Sequence, residues 1–282
     1  MKTKELYDQY LITSMVAGFE PVEVASAAGC VMRSADGKEY LDCFSGIAVT
    51  NAGHGHPKVL AAAEKQMKDL VHCCTYVYYS PRAGELAKLL AEITPGKLQK
   101  TFLSCSGAEA IEGAMRLAKQ FTKRKEVVAL TQSFHGRTAA TLSVTGNRAR
   151  KKGSGPYLSG VAFAPAPYCY RCPFKLSQPG CGTACAHYLE DVLRYQTAGD
   201  VAAFLAEGLM GEGGILPMPA DYFKITSEII HKDGGLFIDD EVQSGFGRTG
   251  CGRVSSAAAA RRRSKAPCVS PSNSRSARNW SA

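Results

Sequence analysis

The chain has 282 residues, of which 45% are hydrophobic and 21% charged, with a formal net charge of +9. This length fits one large α/β domain or two smaller ones, and no apolar run approaches the length of a membrane span. The basic balance does not point to nucleic acid: residues 251–282 hold six arginines, one lysine and no acid, which leaves only +2 for the first 250 residues.

Residues 1–20 lack the apolar core and small-residue cleavage site of a secretory signal, so the expected location is the cytoplasm. Their pattern predicts a short helix, followed by strands over 29–33 and 39–42 joined by a turn at 34–38. A Gly- and His-rich loop spans 44–57. With no third ligand nearby, His54 and His56 read as residues that hold the loop by hydrogen bonds rather than as metal ligands. Pro57 and Pro81 sit at helix starts, over 57–71 and 82–93, and Thr94-Pro95-Gly96 stops the second. From there strands over 100–105, 126–130, 161–164, 200–206 and 235–239 alternate with helices over 108–123, 136–144, 183–195 and 219–232. This alternation predicts an α/β fold with a mostly parallel sheet and helices on both faces. After Gly250 the Ser-, Ala- and Arg-rich composition carries no strand pattern, and the tail reads as an aberrant, disordered end.

Eleven cysteines, an odd number, in a chain of cytosolic character argue against a disulfide framework. Cys169-x-x-Cys172 and Cys181-x-x-x-Cys185 have a spacing that a four-thiolate zinc site could use. Their irregular, Pro-rich setting favours a reduced Cys-rich loop, and no metal is expected.

Four strand ends carry the chemistry. The run 236–250 begins as a buried strand and ends in Asp239, Asp240 and Glu241, where an α/β sheet places its ligands and a carboxylate can partner a buried cation. At Ser106-Gly107-Ala108 a strand gives way to an amphipathic helix. The free N–H groups and the dipole there favour an anion, although Ser106 is equally a plausible N-cap. In Phe134-His135-Gly136-Arg137-Thr138 the aromatic ring can cover a flat ligand and Arg137 can hold a carboxylate. Glu207 and Glu212 stand among glycines after the strand over 200–206, again a site-like pattern. In one sheet these ends converge on one crevice. A phosphate seat, a stacking aromatic, a buried carboxylate and a carboxylate-binding arginine together describe pyridoxal 5′-phosphate (PLP).

On these motifs the chain resembles the class III PLP-dependent aminotransferases, which include the 4-aminobutyrate, acetylornithine and other ω-amino-acid aminotransferases. The resemblance runs from residue 1 to about 250 and is most specific over Asp240-Glu-Val-Gln-Ser-Gly-Phe-Gly-Arg-Thr-Gly250. It implies a type I PLP-transferase fold with an incomplete large domain and no C-terminal small domain. Residues 1–50 would belong to the small domain, 51–250 to the PLP-binding large domain and 251–282 to the tail. The implied reaction moves an amino group from an ω-amino acid donor to a 2-oxo acid, in a homodimer for the intact family member.

The resemblance also implies roles. Asp240 pairs with the pyridine nitrogen, which makes the ring a better electron sink, and Asp239 faces away from it. Gln243 lies near the 3-hydroxyl and Val242 under the ring. Gly107 and Ala108 form the phosphate turn, with Ala108 where Ser or Thr is common. Phe134 stacks on the ring and His135 follows it. Glu207 is the acid of a Glu-Pro-x-x-Gly-Glu-Gly-Gly motif in which Gly208 replaces the proline, a change expected to loosen the turn. Ile47, Arg137 and Glu212 line the substrate side. The family's Schiff-base lysine has no match: Lys265 stands near the expected distance but follows no strand. The chain therefore reads as lacking its catalytic lysine and as inactive, the alternative being a non-catalytic PLP-binding protein.

Overall fold

The computed structural model describes residues 2–13, 18–96, 98–249 and, by backbone, 259–261. The chain divides into two compact units, the second opening at Ser80. The boundary expected after residue 50 falls inside the first unit.

The first unit contains α1 (Thr3–Tyr10), β1 (Val24–Ala28), β2 (Val31–Ser34), β3 (Glu39–Leu41), α2 (Ser45–Ala48) and α3 (Pro57–Asp69). Its three strands form an antiparallel sheet in chain order. β1 went unread in the sequence because Val24-Ala-Ser-Ala-Ala28 has little alternation; it forms by pairing with β2, Ala28 opposite Val31. The turn at 34–38 is closed by the Ser34 N–H donating to the Lys38 carbonyl at 2.9 Å. His54 does hold its loop: Nε2 donates to Asp42 Oδ2 at 2.7 Å, and its backbone pairs with Gly29. That histidine contact, with backbone N–H groups adding to it, holds the Asp42 carboxyl below its ordinary range.

The second unit contains α4 (Pro81–Ile93), α5 (Gly107–Thr122), β4 (Glu126–Leu130), α6 (Ala139–Val144), α7 (Arg148–Lys151), β5 (Val161–Ala164), α8 (Ala184–His187), α9 (Leu189–Tyr195), β6 (Val201–Glu207), β7 (Leu209–Met210), β8 (Leu216–Pro217), α10 (Tyr222–Asp233), β9 (Leu236–Asp240) and β10 (Ala259–Arg261). The main sheet has the order β10-β9-β6-β4-β5. Its three pairings from β9 to β5 are parallel, as the strand-helix alternation dictates.

Side chains alternate faces along each strand, and here both faces are apolar. Val127, Ala129, Ala203, Leu205, Leu236 and Ile238 meet α5 and α6 on one side. Val128, Leu130, Phe204, Ala206 and Phe237 meet α8, α9 and α10 on the other. Continuous apolar runs such as Val201-Ala-Ala-Phe-Leu-Ala206 are what a strand covered on both faces requires. Each large side chain fully buried here contributes about 1.5–3 kcal/mol.

Three expectations need correction. No strand forms over 100–105: Phe102 and Leu103 are exposed, and a run of this kind is a strand only where a ladder partner is available. The helix expected over 183–195 is two helices that meet at Tyr188. The helix expected from 136 begins at Ala139, because Thr138 is its N-cap and bonds with Thr141. The tail over 251–282 lies outside the described residues, apart from Ala259–Arg261, which pair antiparallel with Asp239, Ile238 and Phe237. The N–H and C=O groups along the free edge of β9 accept an extended segment regardless of its side-chain pattern. The edge of β9 is thus covered along three residues. Lys265 lies outside the described residues.

Among the described residues no helix is long and apolar enough to cross a membrane. The nine cysteines among them are free thiols.

Candidate active site

Strand parity assembles the site. In β6, Ala203 and Leu205 face α5, so Glu207 at the strand's end shares their face. In β9, Leu236 and Ile238 do the same for Asp240. The two acids stand opposite each other in the ladder, at the carboxyl end of the sheet where α/β folds bind ligands. Asp239 takes the opposite parity and shares the face of Phe237, as expected.

Asp240 is 5% exposed and its two oxygens are both engaged. Oδ2 accepts from His135 Nδ1 at 2.7 Å and Oδ1 from the Val242 N–H at 3.1 Å. Each carboxylate oxygen has capacity for one more donor. His135 is 3% exposed, and its other ring nitrogen, Nε2, is buried without a hydrogen-bond partner among the protein atoms. A buried acid held by an imidazole on one side and an N–H on the other is fixed in orientation for a cationic ligand group.

Glu207 clamps two loops. One carboxylate oxygen accepts from the Phe134 N–H at 2.9 Å, the other from the Gly211 N–H at 2.9 Å. Burial, the largest influence, pushes its carboxyl above the ordinary range, against a counter-pull from His135 and the two N–H groups. The Gly208 N–H donates to the Asp240 carbonyl at 3.1 Å and so carries the β6–β9 ladder one residue further, a bond that proline cannot make. The backbone at Gly211 passes close to the Gln243 amide, where a Cβ would lie 1.5 Å from Oε1.

The head of α5 completes the cluster. Ser106 Oγ accepts from the Glu109 N–H at 3.1 Å, and Glu109 reaches back to the Cys105 N–H at 2.6 Å, so Ser106 is the N-cap. A Cβ on Gly107 would lie 2.8 Å from Val242 Cγ2, and one on Gly136 would lie 2.8 Å from the Ala108 Cβ. The N-terminal turn of α5, the Phe134–Gly136 loop and the Val242–Gln243 turn therefore meet at one point. Gly107, Ala108, Phe134, His135, Glu207, Asp240, Val242 and Gln243 all belong to this neighbourhood.

The expected substrate-side residues fare differently. Glu212 is taken by Arg150, whose Nε and Nη2 donate to its two oxygens at 3.0 and 2.7 Å. The same guanidinium lies 5.7 Å from the Phe134 ring centroid. Arg137 is exposed. Ile47 belongs to the first unit, where it is 52% exposed at φ +63°, an outlier for a β-branched residue. Arg150 is the residue that sequence reasoning missed. It sits in α7, in a basic run with Arg148, Lys151 and Lys152, and nothing in that run marks which cation reaches back to the strand ends.

The Aminotransferase class-III family model matches residues 15–253. The chain belongs to this family. An acetylornithine aminotransferase of Methanothermobacter thermautotrophicus is 39% identical over 231 residues, which are 82% of this chain and 53% of that protein. A leucine/methionine racemase of Thermococcus litoralis is 34% identical over 255 residues, 89% of this chain and 57% of that protein. Among solved structures, the taurine:2-oxoglutarate aminotransferase of Bifidobacterium kashiwanohense, in complex with PLP and glutamate, superposes with a TM-score of 0.79 at 27% identity, over 89% of this chain and 58% of that one. The chain spans about half the length of the curated relatives it matches.

Proposed function

We propose that the strand-end cluster holds pyridoxal 5′-phosphate and is the coenzyme-holding half of an aminotransferase site that serves an ω-amino acid donor, 4-aminobutyrate or similar, and a 2-oxo acid acceptor. One observation carries this reading: the buried Asp240–His135 pair beside the head of α5. It supplies a fixed anion for a ring cation next to a helix N-terminus suited to phosphate. The residues fit the group. Each Asp240 oxygen can take one more donor, and Gly107 and Ala108 stand in the first turn of α5.

When bound, PLP acts as an electron sink for the carbanion left as the amino-bearing carbon loses a proton. The chain's own residues bind and orient. Asp240 would hold the ring-nitrogen proton, with His135 keeping that carboxylate aligned. Gly107 and Ala108 would seat the phosphate. Phe134, fixed by Glu207 through its N–H, would cover the ring and exclude water. Val242 would support the ring, and Gln243 would serve its hydroxyl. Arg137, exposed, takes a substrate carboxylate. Glu212, held by Arg150, sets the polarity of the substrate side. The donor class rests on relatives named for acetylornithine and 4-aminobutyrate, both at 34–39% identity.

We propose that no lysine of this 282-residue polypeptide fills the Schiff-base role and that it binds PLP without turnover. We place it in the cytoplasm, and the intact enzyme as a homodimer. The test is to incubate the polypeptide with PLP, 4-aminobutyrate and 2-oxoglutarate. The reading expects retention of PLP through gel filtration and no glutamate above the rate with free PLP. Glutamate formation would refute the inactivity; loss of all PLP would refute the site.

A further inference from the structure

We propose that Cys169, Cys172, Cys181 and Cys185 form a structural zinc site that ties the loop between β5 and α8 to the body of the second unit.

All four thiols line one cavity of about 20 Å³. A cavity of that size admits a single water-sized body, and one metal ion needs no more. The other lining groups are apolar or neutral, including Pro167, Tyr168, Phe174 and Pro219. Every charged-ligand candidate in the cavity wall is thus sulfur. Such a donor set selects a soft or borderline ion and excludes Mg²⁺ and Ca²⁺, which require oxygen.

The placement suits a closed tetrahedral site. Cys169 and Cys172 bracket a single 3₁₀ turn, Cys169–Arg171. Cys185 lies in α8 and packs against the main core. Between β5 and α8 that turn is the chain's only helix or strand, over a length at which loops need an anchor of their own. An ion held by Cys185 would fasten three loop cysteines to a core helix. Among the described residues no three His, Cys, Asp or Glu side chains already converge as a ligand set. Binding must therefore draw the thiols inward to the Zn–S distance of about 2.3 Å. The segment carrying three of them is in no strand ladder that would resist this.

The test uses the full chain, reduced and stripped of metal, titrated with Co²⁺ as a spectroscopic probe. The expected result is saturation at one ion per chain, with a near-ultraviolet thiolate-to-cobalt band, the visible bands of tetrahedral cobalt, and displacement by Zn²⁺. Zn²⁺ should also raise the thermal unfolding midpoint. The pair Cys181→Ser and Cys185→Ser should weaken Zn²⁺ binding by at least about 100-fold, while Cys73→Ser with Cys74→Ser leaves it unchanged. Absence of the thiolate band, or its survival in the Cys181/Cys185 variant, overturns the proposal. If that variant does not fold, the unmodified chain decides through the cobalt spectrum alone. PLP retention is a separate readout, so this result and that of the proposed function are independent.

Discussion

The first unit and the sheet of the second both contain well-signalled elements, and their interiors differ sharply. Among the described residues of 2–79, Ser34 alone is buried; Ile12, Tyr76 and Val71 are 84%, 95% and 81% exposed. In the second unit, every residue of β6 and β9 is buried. Pro57 starts α3 as well as Pro81 starts α4, and the 34–38 turn closes its hairpin. Signals of this kind form elements without forming a core. The core comes from strands apolar on both faces, and the same alternation aims Glu207 and Asp240 at one point. Site construction and core construction are one process in β6 and β9, and no comparable step occurs in the first unit taken by itself.

That contrast can be broken by mutation. The largest effect is expected at Ile238, fully buried in β9. Ile238→Ala should cost about 3 kcal/mol, read as a shift in urea midpoint. A loss below about 1 kcal/mol would mean that the sheet interior is not closed. Next is His135→Ala, which leaves Asp240 without its imidazole. Loss of a hydrogen bond to a charged group should weaken PLP binding by about 10- to 100-fold, measured by equilibrium dialysis.

Glu207 sharpens the comparison through pH. Its native carboxyl binds a proton more tightly than the unfolded chain does, because burial raises it. The stability linked to that proton is complete below the ordinary glutamate value and is lost as pH rises through the raised folded value. Glu207→Gln should flatten this part of the profile of unfolding free energy against pH. An unchanged slope above about pH 4 would remove Glu207 from the account. The smallest effect belongs to the first unit. Leu60, in α3 and 51% exposed, should tolerate alanine within about 0.5 kcal/mol.

Much of this was legible in the sequence for physical reasons. Parallel strands covered on both faces leave continuous apolar runs, so β4, β5, β6 and β9 were found to within a residue. The strand-end motifs were found because an acid that closes a buried apolar run needs a partner. Residues 100–105 were misread because a strand needs a partner, and an apolar run does not reveal whether it has one. β10 was invisible for the converse reason: the edge of β9 supplies the pairing, and Ala-Ala-Arg carries no pattern of its own. Arg150 and the ladder bond from the Gly208 N–H were illegible because both depend on contacts more than thirty residues apart in the chain.

The most direct test of the central claim compares PLP affinity in the unmodified chain, in Asp240→Asn and in Asp239→Asn. An amide at 240 keeps the shape and cannot neutralise a ring cation. The account predicts at least about a tenfold loss for Asp240→Asn and none for Asp239→Asn. Equal affinity in all three proteins, each folded by circular dichroism, would contradict it.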